Sequence, residues 1–139
     1  MSRLRKLFNE RVPFNQFLGL RLRRLAPGRA EMRLTFRREF IGDFERPALH
    51  GGVLAAILDT ACGAAVLSRV GPHDRVSTLD LRVDYLAPGP MKALVATAEV
   101  IRIGKSAAVA QARVRAVGSR EVVAEGKAVF SIRRKQEAR

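Results

Sequence analysis

Residues 46–70 read RPALHGGVLAAILDTACGAAVLSRV, and the reading of this stretch decides the fold. Two glycines follow a histidine, and then comes a long run in which Asp59 is the only charged residue before Arg69. On a helical wheel Leu54, Ile57, Leu58, Ala61, Cys62 and Ala65 make one face, while Ala55, Ala56, Gly63 and Val66 fill much of the other. A helix that is apolar all round is wrapped by protein. The helix is expected over 51–69, stopped by the Gly-Pro pair at 71 and 72.

Asp59 projects on the side of Ala55, Gly63 and Val66, where small side chains leave room beside it. A carboxylate in such a place needs a partner or a function, because burying it alone costs several kcal/mol. Gly51 and Gly52 stand where the helix begins and leave its first amides unobstructed, pointing positive partial charge at whatever docks there. Taken singly, each feature has a structural explanation: an arginine pairing with Asp59, a tight entry turn at the glycines, a hydrogen-bonded His50. Together they pose a geometric problem. Eight residues separate Gly51 from Asp59, about 12 Å along one helix at ~1.5 Å per residue, so one chain cannot bring both to one ligand atom. Two antiparallel copies related by a twofold axis can, which predicts a homodimer with sites shared between subunits.

Working outward, residues 3–20 read as an amphipathic helical segment carrying Leu4, Leu7, Phe8, Phe14 and Phe17, broken at Pro13. PGRAEMRLTFRREF then alternates, with Ala30, Met32, Leu34 and Phe36 on one face, as a half-buried strand does. After the long helix come four strand-like runs, 75–86, 92–104, 106–118 and 121–133, with a hairpin signal at Gly118-Ser119. This order argues for an α+β fold in which an antiparallel sheet packs on one long helix. With 139 residues, 47% of them hydrophobic, one domain over 1–139 is expected.

Lys plus Arg number 26 and Asp plus Glu 13, a formal charge of +13. Such a surface attracts polyanions, phosphorylated cofactors among them. The arginines are spread through alternating strands without an aromatic RNA-reading signature or zinc-finger spacing, so dedicated nucleic-acid binding is not expected. Charges interrupt every apolar run, and the N-terminal stretch lacks the apolar core and cleavage site of a signal peptide. No membrane span and a cytoplasmic location are therefore expected. Two histidines and one cysteine assemble no metal site, and Cys62, within the apolar helix, reads as a buried structural thiol. Gly104-Lys105-Ser106 does not make a phosphate-binding P-loop, because position 99, where that motif requires glycine, is Glu.

The order of elements and the HGGVLAAILDTACGAA segment resemble the hotdog-fold acyl-CoA thioesterases, specifically the PaaI-like group. PFNQFLGLRL with PGRAEMRL is similar to that family's entry helix and first strand, and STLDLRVDYLAPGP to the strand that ends in its YL.P pattern. The resemblance implies an antiparallel sheet wrapped around the central helix and hydrolysis of an acyl-CoA; the small residues near Asp59 and in the strands leave room for a medium-chain or aromatic acyl group. Gly51 matches the glycine whose amide polarises the thioester carbonyl, and Asp59 of the partner subunit matches the general base or nucleophile. His50 matches the motif histidine that shapes the site, with Gly52 beside it, and Ser77 falls where the family often has a hydroxyl that holds the attacking water. Relatives commonly carry an asparagine in the loop before HGG; here the loop reads IGDFERPALHGG, with Asp43 near that place.

Coenzyme A enters as part of the substrate, so no separate cofactor is implied. Its phosphates suit Arg102, Lys105 and Ser106 at the RIGKS turn. A non-catalytic acyl-CoA-binding module and a thioesterase acting on acyl-acyl carrier protein are the alternatives, and a homodimer can pair further into a tetramer.

Overall fold

The computed structural model describes residues 1–135. The chain opens with α1 (Ser2–Lys6), a π-helical turn (Leu7–Arg11) and α2 (Pro13–Leu18). Val12 is extended between them and Pro13 occupies the first turn of α2, where its missing N–H costs nothing. Leu4, Phe8, Leu18 and the buried Asn15 anchor this segment, and Asn15 Nδ2 donates to the Phe8 carbonyl at 3.2 Å.

Strands β1 (Leu20–Ala26) and β2 (Arg29–Leu34) follow as a hairpin, then a short 3₁₀ turn (Arg38–Phe40) and the small β3–β4 hairpin (Ile41–Asp43 and Ala48–Leu49). Next come α3 (Gly51–Leu67), β5 (Arg75–Tyr85), β6 (Leu94–Ile103), β7 (Ala107–Ala116) and β8 (Val122–Arg133). Six strands form one antiparallel sheet in the order β1-β2-β6-β7-β8-β5. The sheet's inner face packs on α3, which is the hotdog arrangement.

Small side chains make the packing close. Ala96, Ala98, Ala108, Ala110, Ala112, Ala124 and Ala128 are buried on the strands and meet a helix whose Ala61, Ala64 and Ala65 are also buried. Leu54, Ile57, Leu58 and Val66 fill the remaining space between the layers. Removing this apolar surface from water is the main favourable term, at about 25 cal/mol per Å².

The sequence reading stands for α3 and the four C-terminal strands to within two residues at each end. It extended the N-terminal helix to residue 20, whereas Leu20 begins β1, a strand the reading did not assign. Leu20 and Leu22 are buried, but a bulge between Leu22 and Arg24 breaks the alternation and the arginines mask it. Phe36 lies beyond the end of β2 yet still packs against the core.

The β3–β4 hairpin sets His50 in place. His50 N donates to the Phe40 carbonyl at 2.8 Å, and Gly42 passes so close that a Cβ there would lie 2.7 Å from His50 Cα. The obstacle is backbone, which cannot swing aside. Gly42→Ala is therefore expected to lower stability by about 1–3 kcal/mol, read as a reduced denaturant midpoint with an unchanged slope.

Candidate active site

At the start of α3 the backbone donors divide their roles. Val53 N donates to the His50 carbonyl at 2.9 Å, and Gly52 N donates to His50 Nδ1 at 2.8 Å, so His50 caps its own helix. An imidazole nitrogen that accepts carries no proton, which puts the ring N–H on Nε2. The Gly51 N–H has no acceptor among the described residues. It is the amide that a helix N-terminus presents to a ligand.

Asp59 lies two turns further on and is half-buried. Its Oδ1 accepts a hydrogen bond from the Thr78 hydroxyl at 2.9 Å, and none of the ion pairs among the described residues includes it. A structural arginine partner is thus ruled out within the described chain. The hydroxyl at the carboxylate belongs to Thr78, where the sequence reading expected Ser77. Strand periodicity explains the difference: Thr78 pairs with the buried Phe130 on the helix side, while Ser77 pairs with Ser131 on the opposite face. A bulge then leaves Leu79 unpaired, which returns Leu81 and Val83 to the inner face to pack against the core.

Asp43 is exposed, and its Oδ1 accepts from Glu45 N at 3.0 Å and Arg46 N at 3.1 Å. That oxygen closes the turn of the β3–β4 hairpin, as Asx side chains do. The turn holding Arg102, Lys105 and Ser106 exposes all three side chains. Its backbone is stapled by Arg134, which donates to the carbonyls of Gly104 at 2.9 Å and Lys105 at 3.1 Å. Arg134 also pairs with Asp74 at 3.4 Å, and Asp74 accepts from Gly71 N just past α3. Hydrogen bonds from the Lys135 and Gly71 amides and from Arg134 hold the Asp74 carboxyl below the usual range. Within one chain this turn therefore stands at the end of the sheet where α3 finishes, away from Gly51. Sequence reasoning missed two neighbours of the site, Thr78 and Tyr85; the latter's hydroxyl donates to the Gly51 carbonyl at 3.0 Å.

A depression of about 520 Å³ opens on the outer face of the sheet among Arg24, Arg29, Thr97, Glu99, Gln111 and Arg113, and includes neither Gly51 nor Asp59. Among the described residues no group of three or more His, Cys, Asp or Glu side chains is placed to hold a metal ion, and no helix is long and apolar enough to cross a membrane.

Residues 47–123 match the model of the thioesterase superfamily, a span that contains both the HGG helix start and Asp59. The chain belongs to that superfamily. It is 35% identical to a Salmonella typhimurium protein named medium/long-chain acyl-CoA thioesterase YigI, over an alignment covering 76% of this chain and 77% of the relative. The Escherichia coli K12 protein of the same name is 34% identical with the same coverage. Among solved structures, a thioesterase family protein from Silicibacter pomeroyi superposes with a TM-score of 0.88 at 29% identity, covering 96% of this chain and 98% of that one. A Shewanella oneidensis protein related to the superfamily gives 0.83 at 29% identity, covering 94% and 93%. The protein is a hotdog-fold thioester hydrolase.

Cys62 takes no part in this chemistry. It is wholly buried, and burial, with the Asp59 charge adding, pushes its thiol up to about 12. An unfolded thiol ionises near ~8.5, so the stability that the protonated Cys62 contributes is intact below that pH and is lost as pH rises toward 12. At pH 8 the native protein should resist a thiol-alkylating reagent that modifies the guanidinium-unfolded chain fully, as counted by intact mass.

Proposed function

We propose that the protein hydrolyses acyl-CoA thioesters in the manner of the PaaI-like group, with Gly51 and Asp59 supplied to one site by two subunits of a homodimer. The observation that carries this reading is the pairing of an unclaimed Gly51 amide with a half-buried carboxylate whose only side-chain partner among the described residues is a hydroxyl. Attack on the thioester carbon builds negative charge on its oxygen, and one preorganised donor there is worth on the order of 3 kcal/mol. Asp59 takes a proton from water as the hydroxide adds to the carbonyl carbon; the C–S bond then breaks, and the departing CoA thiolate takes up the proton. In the nucleophilic variant the Asp59 carboxylate attacks the carbonyl carbon, the C–S bond breaks to release CoA thiolate, and water then hydrolyses the mixed anhydride to free acid and restored Asp59, the thiolate taking up the proton released. Thr78 orients the carboxylate, leaving its second oxygen for the reaction. His50, its proton on Nε2, lends a second donor beside Gly51.

The edge of β5 supports the dimer. This eleven-residue strand closes one side of the sheet, with Leu79 65% and Leu86 55% exposed along and just past it. A long edge left unpaired, with two leucines exposed along it, can take another chain. Antiparallel pairing there would lay two copies of α3 across each other and bring each Asp59 toward the other's Gly51. The exposed Arg102, Lys105 and Ser106 remain suited to CoA phosphates, reached across the same interface.

The acyl group proposed is the medium-chain or aromatic one expected from the sequence; relatives named medium/long-chain acyl-CoA thioesterase support its medium-chain half. Release of free thiol from a series of acyl-CoAs tests the reading. Wild type should turn over medium or longer esters, Asp59→Ala should lose about 10²–10⁴-fold in kcat, and Thr78→Val a smaller factor than Asp59→Ala, with Ser77→Ala near wild type. Sedimentation should give a dimer or a multiple of one. Turnover of carrier-protein esters alone would reassign the substrate, and tight acyl-CoA binding without turnover would make the protein a binding module.

A further inference from the structure

The Gly51–Gly52 peptide is held at both of its polar atoms. Its carbonyl accepts from the Tyr85 hydroxyl at 3.0 Å, and its N–H donates to His50 Nδ1 at 2.8 Å. The Tyr85 ring also occupies the space a side chain on Gly51 would need: a Cβ there would lie 3.3 Å from Cε1, Cζ and Oη of the ring. Consecutive glycines are the freest backbone a helix start can have. A donor that stabilises developing charge, by contrast, must already be aimed when the charge appears. Glycine cannot supply that restraint through a side chain, so it must come from a neighbour.

We propose that Tyr85 is a positioning residue for the thioester oxyanion: its ring against Gly51 and its hydroxyl on the Gly51 carbonyl fix that residue from outside the helix, while Val53 N holds the carbonyl of the preceding His50–Gly51 peptide, so that the N–H of that peptide stays free and aimed. The role deepens the proposed hydrolysis and rests on that reading. Three features single Tyr85 out. It is 53% exposed, so its ring is not a core support. It stands opposite Ala124 at the end of β5, the strand that also brings Thr78 to Asp59. It approaches the first residue of α3, whose amide no group in the described chain accepts. One strand thus touches both halves of the chemistry, the base through Thr78 and the oxyanion donor through Tyr85.

The test uses Tyr85→Phe, which keeps the ring and removes the donor, and Tyr85→Leu, which removes both. In the full-length protein Tyr85→Phe should lower kcat about five- to tenfold with KM within about twofold and the melting temperature nearly unchanged; Tyr85→Leu should lose more. A second readout needs no substrate. Amide hydrogen exchange, followed by NMR on the free protein, should rise in Tyr85→Phe at Gly52, whose N–H is bonded to His50 Nδ1, while Leu58 and Ala61 in the helix interior stay as in wild type. Wild-type kcat with an unmoved Gly52 amide would overturn the proposal, as would a loss confined to KM, which would make Tyr85 a substrate contact. If the wild-type protein hydrolyses no acyl-CoA but the Gly52 amide still responds, the functional reading fails and the clamp on the backbone stands. If the wild type is active and the Gly52 amide does not respond, Tyr85 alone has been misassigned.

Discussion

A helix with a single charge in seventeen residues has no face to give to water, and the rest of this protein is arranged around that constraint. Leu54, Ile57, Leu58, Ala61, Cys62, Ala64, Ala65 and Val66 are buried on α3, and covering so wide an arc takes a curved sheet rather than one neighbouring element. The alanines on β6, β7 and β8 let the sheet come close enough to exclude water without leaving voids. The sheet covers one side of the helix, and on the other Val53, Ala56, Asp59, Thr60 and Gly63 stay half-buried. Its first amides emerge at His50-Gly51-Gly52, and its one carboxylate emerges on that open side, beside β5. The candidate site lies where the covering stops.

Strand β5 carries more than its share of the consequences. It is an edge, so its outer rim is free to pair, and its inner face delivers Thr78 to Asp59 and Tyr85 to Gly51. The bulge at Leu79 makes this possible, because an unbroken strand that points Thr78 inward would also point Asp80 inward and turn Leu81 and Val83 outward. The extra residue resets the phase. A polar contact and an apolar packing face thereby coexist on one strand.

Much of this was legible from composition and period. The run between His50 and Arg69, apolar but for Asp59, Thr60 and Ser68, reads as a covered helix on any wheel, and the alternation of Ala30, Met32 and Leu34 reads as a strand. The glycines that open that helix and the lone Asp59 within it mark the candidate site, since neither suits an ordinary core helix. The resemblance to hotdog thioesterases rested on the same residues, and the superfamily match spans them. Less legible were the elements that lean on distant partners. In β1, Leu20 and Leu22 are core residues set among arginines, and a bulge disrupts their period. The β3–β4 hairpin is only three and two residues long, too short to leave a pattern.

By itself the sequence determined the class of the fold, the position of the central helix and the two groups, Gly51 and Asp59, that stand out from it, because hydrophobic period and misplaced polarity are local properties of a chain. Only the tertiary structure decided which neighbours those groups acquire: Thr78 in place of Ser77, Tyr85 over Gly51, Asp43 spent on its own turn, and the Arg102–Ser106 turn at the far end of α3. Each of those choices depends on strand phase and register across the sheet. A single bulge changes them while leaving the composition of the strand untouched.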